Sequence, residues 1–180
     1  MPPNSNKTEV LALIEARMPP FARASSLCET YLENFSWLLR IVERPQLFEE
    51  LLPFCYRHAG PGGAARIGGP GGVAANPPLG VTASHEVALL LMVFAAGALA
   101  DLTLPLYNDE SEHYYQLALA ALGTTPVLGA ASLPVVQCVG LMGAFNAHCG
   151  RNDTLDLAGS LLNVAASLAT SVRLALAVRA

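Results

Sequence analysis

The run Val87–Ala100 holds fourteen residues without a charge or a strongly polar side chain, and it is bounded by Glu86 and Asp101. A bilayer span needs roughly 20 apolar residues, so this run is too short to cross one. It is also apolar on every face. A helix of that kind has no side that water can wet, so other helices must cover it all round. The segment VALLLMVFAAGALADL is therefore expected to start near Ser84, to carry Glu86 near its positive end, to stop at Pro105 and to form the centre of the core.

The flanking sequence supplies the cover. Residues 7–17 form a short amphipathic helix on Val10, Leu11, Leu13 and Ile14, stopped by Pro19-Pro20. A second helix is expected from Ser25 or Ser26, either of which can cap it, with Leu27, Tyr31, Phe35 and Leu38 at helical spacing. Pro45 suits the first turn of a third helix carrying Leu47, Phe48, Leu51 and Leu52. Pro53 kinks or ends it, and Cys55 and Tyr56 continue in a further turn. Asp109, with Glu112 as capping-box partner, begins the helix SEHYYQLALAAL, for which Gly123 is the C-terminal cap. Pro134 opens VVQCVGLMGAFNAHC, which Gly150 ends. Asp153 caps the last helix. Its apolar part, Leu157–Val172, includes Gly159, Ser160, Asn163, Ser167, Thr170 and Ser171, and reads as a helix packed tightly against its neighbours rather than a membrane span. No stretch alternates with the period of a strand. The expected fold class is all-α, with antiparallel helix pairs joined by short loops. Residues 59–80 are dominated by Gly and Pro and are read as a flexible, disordered loop.

Composition narrows function mainly by exclusion. The chain has 180 residues, 53% hydrophobic and 13% charged, with a net charge of −4. Ordinary domains carry about 25% charged residues, so much of this surface is buried or kept for a partner. No Lys or Arg occurs between Ile67 and Gly150. Nucleic-acid contact needs clustered basic residues, so direct DNA or RNA binding is not expected. Met1–Ser5 lacks the apolar core of a secretory leader. Cys28, Cys55, Cys138 and Cys149 form no C-x-x-C pair, so reduced, buried thiols inside a cell are the expectation.

Chemical motifs are absent too. Cys138, His148 and Cys149 are the nearest approach to a zinc set, but eleven residues separate the two thiols, about three helical turns. There is no G-x-S-x-G, and His58, His85, His113 and His148 show no sequence partner. Lys7 is the only lysine, which leaves no phosphate-binding G-K pair. Gly60-Pro61-Gly62-Gly63 lacks the strand and helix that a dinucleotide fingerprint requires. Asp109, Glu110 and Glu112 sit where a helix N-terminus favours negative charge. No catalytic, cofactor-binding or metal-ligating residue is assigned, and no enzyme activity is expected.

The order of the helices carries a resemblance. Gly97, Ala98, Leu99 and Asp101 close the apolar helix. Glu112, Tyr114, Tyr115, Ala118, Ala120, Ala121 and Leu122 mark the next. Val136, Gln137, Leu141 and Met142 follow, then Arg151, Asp153 and Leu155. Together with residues 29–53, this series is similar to the fungal-specific transcription factor domain, the middle region of zinc binuclear cluster activators. Ala120 stands where that family often has Arg, and Leu157-Ala158 where it often has an aromatic residue.

The resemblance implies N-terminal helices over 1–58, a Gly/Pro-rich loop over 59–82, and the first half of the family's core over 83–180. It implies a nuclear regulatory domain of RNA polymerase II transcription, acting through protein partners, self-association or a small-molecule effector. DNA and zinc would belong to a separate six-cysteine cluster that this chain lacks, so the chain itself takes no cofactor and meets DNA only indirectly. The alternative is a helical small-molecule-binding module, its pocket among Leu91, Phe94, Met142 and Phe145, or a membrane-associated one, unrelated to transcription; the leading reading has no membrane. A partial helical domain leaves apolar faces uncovered. The isolated chain is therefore predicted to self-associate and to bind an environment-sensitive dye; a monomer that leaves the dye dark would count against this.

Overall fold

A computed structural model describes residues 4–37, 39–56, 81–105, 108–125, 132–150 and 154–179. The fold is all-α, and no strand occurs among the described residues. In order the helices are α1 (Asn4–Glu15), α2 (Phe21–Thr30), α3 (Leu52–Tyr56), α4 (Val81–Leu99), α5 (Asp109–Gly123), α6 (Leu133–His148) and α7 (Leu155–Arg179). π-helical turns over Tyr31–Phe35 and Gln46–Leu51 extend α2 and lead into α3.

Helix α4 lies at the centre, as its uniform apolarity requires. Every residue from Val87 to Ala98 is buried. It pairs with α5 on one side and meets α6 and α2 on others, while α6 pairs with α7. The decisive contact is at Gly97. A Cβ there would lie 2.2 Å from the backbone oxygen of Leu27. Helices α2 and α4 thus touch backbone to backbone, and a side chain at that crossing would force them apart. Gln137 of α6 and Gln46 exchange reciprocal amide hydrogen bonds of 2.9 Å, and Gln137 also donates to the Ile41 carbonyl at 2.7 Å. These bonds fasten the chain ahead of α3 to α6. Arg23 of α2 donates to both carboxylate oxygens of Glu110, at 3.0 and 2.6 Å, and to Asp101 at 3.5 Å.

Several boundaries differ from the sequence reading, each for a local reason. Helix α2 begins at Phe21 behind Pro20, and no side chain caps it. Ser25 and Ser26 lie inside the helix. At Pro53 the helix does not end, and Cys55 and Tyr56 continue in α3 as expected; the π-turn before it shifts the hydrogen-bond register, with Leu52 N–H reaching back to Leu47 O. The missing amide hydrogen of Pro53 is absorbed where the ladder is already displaced. Helix α4 begins at Val81, before Ser84, and ends at Leu99 rather than at Pro105. Asp101 turns the chain there by accepting from Thr103 N at 3.0 Å and Thr103 Oγ1 at 2.6 Å.

Asn108, not Asp109, caps α5. Its Oδ1 accepts from Ser111 N at 2.7 Å, while its amide donates to Ala98 O at 2.7 Å and so ties the cap to the end of α4. Glu112 accepts from Gln116 instead of closing a capping box. Gly123 is the last helical residue but not a left-handed cap, and Thr124 continues in right-handed geometry. Gly150, at φ 70°, does turn the chain after α6. Leu38, residues 59–80 of the Gly/Pro-rich segment and Asp153 lie outside the described residues.

Helix α7 departs most from expectation. Only Ala158, Ala165 and Leu168 are buried, with Leu161 and Val172 half-buried, and the rest of the described side chains are exposed. It packs on α6 along one seam and is open elsewhere. Its window Leu155–Arg173, with mean hydropathy 1.3, is long and apolar enough to cross a membrane by length and composition, and 17% of it is buried.

The crowding at Gly97 predicts that Gly97→Ala destabilises the fold. Ala favours a helix over Gly by about 1 kcal/mol, but overpacking costs about 1–3 kcal/mol, and a backbone oxygen cannot swing aside. Gly123→Ala, where an added Cβ meets nothing within 4 Å, should be neutral or stabilising. Urea unfolding of the two variants beside the parent checks the contrast.

Candidate functional site

A cleft of about 630 Å³ opens between α5, the C-terminal end of α6 and the start of α7. Its floor is built by one residue from each of two helices. Tyr115 of α5 and Phe145 of α6 stack with centroids 4.8 Å apart and planes 14° from parallel. Asn146 follows Phe145 and donates to Tyr115 Oη at 2.9 Å and to Met142 O at 2.8 Å. The Asn146 carbonyl accepts from Thr154 Oγ1 at 2.8 Å and from Cys149 Sγ at 3.3 Å. Thr154 thereby holds the start of α7 against the end of α6, and Gly150 makes the turn between them possible.

Leu99, Leu119 and Leu157 give the cleft apolar sides, while Asp109, Glu112 and Gln116 stand at its rim. Among the described residues that line it there is no Lys or Arg. Burial raises the Tyr115 phenol above its usual range, offset in part by its bond to Asn146. The floor is thus neutral and aromatic and the rim acidic. Such a site suits binding of a flat apolar body with donor groups at its edge.

The four residues expected to line a pocket, Leu91, Phe94, Met142 and Phe145, are all buried. Leu91, Phe94 and Met142 are core residues, Phe94 packing edge-on to Tyr114 at 5.6 Å. Phe145 alone reaches the cleft. Cys138, His148 and Cys149 do not converge: Cys138 is in the core, His148 Nδ1 pairs with Ala144 O at 2.7 Å, and Cys149 faces Asn146 and Thr154. Among the described residues no group of three or more His, Cys, Asp or Glu side chains is placed to hold a metal. The acidic trio disperses as well. Glu110 binds Arg23, Glu112 binds Gln116, and Asp109 stands at the cleft rim.

His85 does have partners, which no sequence pattern announced. It is fully buried, with Nδ1 at 3.1 Å from Ser132 Oγ and Nε2 at 2.8 Å from Thr125 Oγ1. It ties α4 to the ends of the α5–α6 connection. His113 lies against the Tyr114 ring at 5.5 Å, and His58 is outside the described residues. Burial pushes the thiols of Cys28 and Cys138 up to about 12, and that of Cys55 higher, so all three stay protonated and unreactive at neutral pH. The sequence reading singles out none of the cleft residues Asn108, Asn146 and Thr154, and Tyr115 only through the resemblance. The available signal was Asn146 itself, a side-chain amide within the apolar stretch GLMGAFNA.

No protein family, no curated protein and no solved structure matches this chain.

Glu86 gives a pH prediction. Burial, and then the charge of Glu50, raise its pKa above the ordinary carboxylate value. A carboxyl whose folded pKa exceeds its unfolded one, about 4.3, adds stability below that value and loses it as pH rises through the folded pKa. Glu86→Gln should therefore raise the melting temperature at pH 7 and leave it nearly unchanged at about pH 4. Thermal unfolding at the two pH values checks the sign.

Proposed function

We propose that this chain is a non-catalytic regulatory domain of a fungal RNA polymerase II transcription regulator, acting in the nucleus by binding a small amphipathic effector and by protein contact. The observation that carries the binding reading is the cleft, with its stacked Tyr115–Phe145 floor and with Asp109 and Glu112 among its described rim residues. A non-catalytic role is supported by how the polar groups are engaged. Asn146, Thr154 and Tyr115 hold one another, and three of the four thiols are shifted towards the neutral form.

The transcription reading rests on the resemblance. The segments that carry it fall in order on the end of α4, on α5 and on α6. Glu112 and Tyr115 from that series, with Leu99, lie at the cleft. The absence of basic residues from Ile67 to Gly150 fits a domain that reaches DNA only through another domain, where the family's zinc would reside. A membrane-associated module is the second reading, favoured by one observation, the largely exposed apolar helix α7.

Thermal-shift measurement over a panel of flat amphipathic compounds tests the cleft. At a concentration about 100-fold above Kd, a bound compound should raise the melting temperature by roughly 5–10 °C. Leu157→Trp, at the mouth, should abolish the rise without unfolding the protein. Tethered to a heterologous DNA-binding domain in a fungal cell, the chain should alter reporter output. A reporter indifferent to the tethered chain would sink the transcription reading, and a panel with no Leu157-dependent binder would sink the effector site.

A further inference from the structure

The cleft floor keeps one hydrogen-bond donor and one acceptor unused. Asn146 is only 5% exposed, and one atom of its side chain makes both of its bonds, 2.9 Å to Tyr115 Oη and 2.8 Å to Met142 O. A peptide carbonyl can only accept, so that atom is the amide nitrogen Nδ2, and both of its hydrogens are spent. Tyr115 Oη is then the acceptor in its bond with Asn146, which leaves its own O–H hydrogen over. Asn146 Oδ1 is left over as well. Among the described residues nothing accepts that hydrogen and nothing donates to that oxygen.

The unused oxygen is not sealed in the core. The fully buried side-chain polar atoms that lack a partner among the described residues are Tyr31 Oη and Ser84 Oγ. Asn146 Oδ1 is not one of them, so solvent still reaches it, and the space that Asn146 lines is the cleft. Tyr115 lines the same cleft. A ligand that covers these two residues without pairing them leaves a desolvated donor and a desolvated acceptor, which weakens its binding. The site therefore selects a ligand that offers an acceptor to Tyr115 and a donor to Asn146.

The rest of the cleft sets the body of that ligand. The Tyr115 and Phe145 rings lie 14° from parallel, which favours a flat partner. Leu99, Leu119 and Leu157 add apolar sides. The volume of about 630 Å³ is that of an ordinary small-molecule site and has room for fused rings. Asp109 and Glu112, one helical turn apart on α5, stand at the rim, and neither makes an ion pair among the described residues. Their negative charge disfavours a phosphate or carboxylate on the ligand. A cyclic secondary amide meets all of these demands. It is planar and uncharged, and it carries a carbonyl and an N–H side by side on one edge.

We propose that the cleft binds an uncharged planar lactam, whose carbonyl accepts from the Tyr115 hydroxyl and whose ring N–H donates to Asn146 Oδ1. This rests on the effector reading of the cleft and names the ligand class for it. The bond to Met142 O fixes the Asn146 amide, so the acceptor is in place before the ligand arrives. A lactam methylated on nitrogen sets a methyl group against that acceptor and loses the bond.

Calorimetric titration of the full chain with three tricyclic probes tests this. Phenanthridinone carries the lactam edge, whereas phenanthridine and N-methylphenanthridinone lack the N–H. Phenanthridinone should bind at least about tenfold more tightly than either. Tyr115→Phe keeps the ring against Phe145 but removes the hydroxyl. It should weaken phenanthridinone about tenfold while circular dichroism reads unchanged helix content. Equal affinity of the three probes for the parent, or phenanthridinone indifferent to Tyr115→Phe, would overturn the lactam assignment. So would Leu157-dependent binding of other flat amphipathic compounds without phenanthridinone. In each of these cases Leu157-dependent binding leaves the effector cleft standing. If no compound binds in a Leu157-dependent way, the effector reading itself falls and the lactam with it.

Discussion

Helix α4 has no side that tolerates water, and that constraint organises everything around it. Twelve consecutive residues, Val87–Ala98, are buried, each large side chain contributing about 1.5–3 kcal/mol relative to exposure. A helix buried on all faces needs several partners, and each must present an apolar surface at the right depth. Helix α2 meets this demand most closely, with the Leu27 carbonyl against Gly97. From that crossing Arg23 reaches the start of α5, and the placement of α5 fixes where Tyr115 meets Phe145.

The polar interactions are few, and each sets a register rather than adding bulk stability. Gln46–Gln137, His85 with Thr125 and Ser132, and Asn146 with Tyr115 join residues far apart in the chain. A buried amide or imidazole left unpaired costs about 1–3 kcal/mol, so each pair penalises a helix that slides or turns. The cleft is a by-product of this economy. Where α6 ends, Gly150 and Thr154 start α7 at an angle held by the Asn146 carbonyl, and the opening between α5 and α7 is left with an aromatic floor.

Helix α7 shows what a regular pattern can hide. Its Ala, Ser and Leu content reads as a helix packed tightly on its neighbours. One seam does pack in that way, and at Gly143 of α6 the Leu162 side chain and the Ala158 carbonyl come close enough that an added Cβ would crowd them. The opposite side carries Gly159 and Ala166 among polar residues and faces solvent. Leu155, Leu157, Leu162 and Val164 are exposed as well, so apolar content could say that α7 is a helix but not how many neighbours it has.

The all-α class, the central position of α4, the approximate extent of α5 and α6 and the turn at Gly150 followed from the sequence by itself. Helical periodicity, apolar runs and Gly or Pro at chain breaks are local properties, and local sterics and burial act the same way in any context. Tertiary structure alone decided the rest. Asn108 rather than Asp109 caps α5 because only Asn108 also reaches Ala98. Pro53 stays inside a helix because a π-turn precedes it. Leu91, Phe94 and Met142 are core while Phe145 floors a cleft, and His85 finds two hydroxyls 40 and 47 residues further along the chain. In each case the outcome depends on which distant backbone or side chain arrives at that point in space, and a single chain carries no local mark of that.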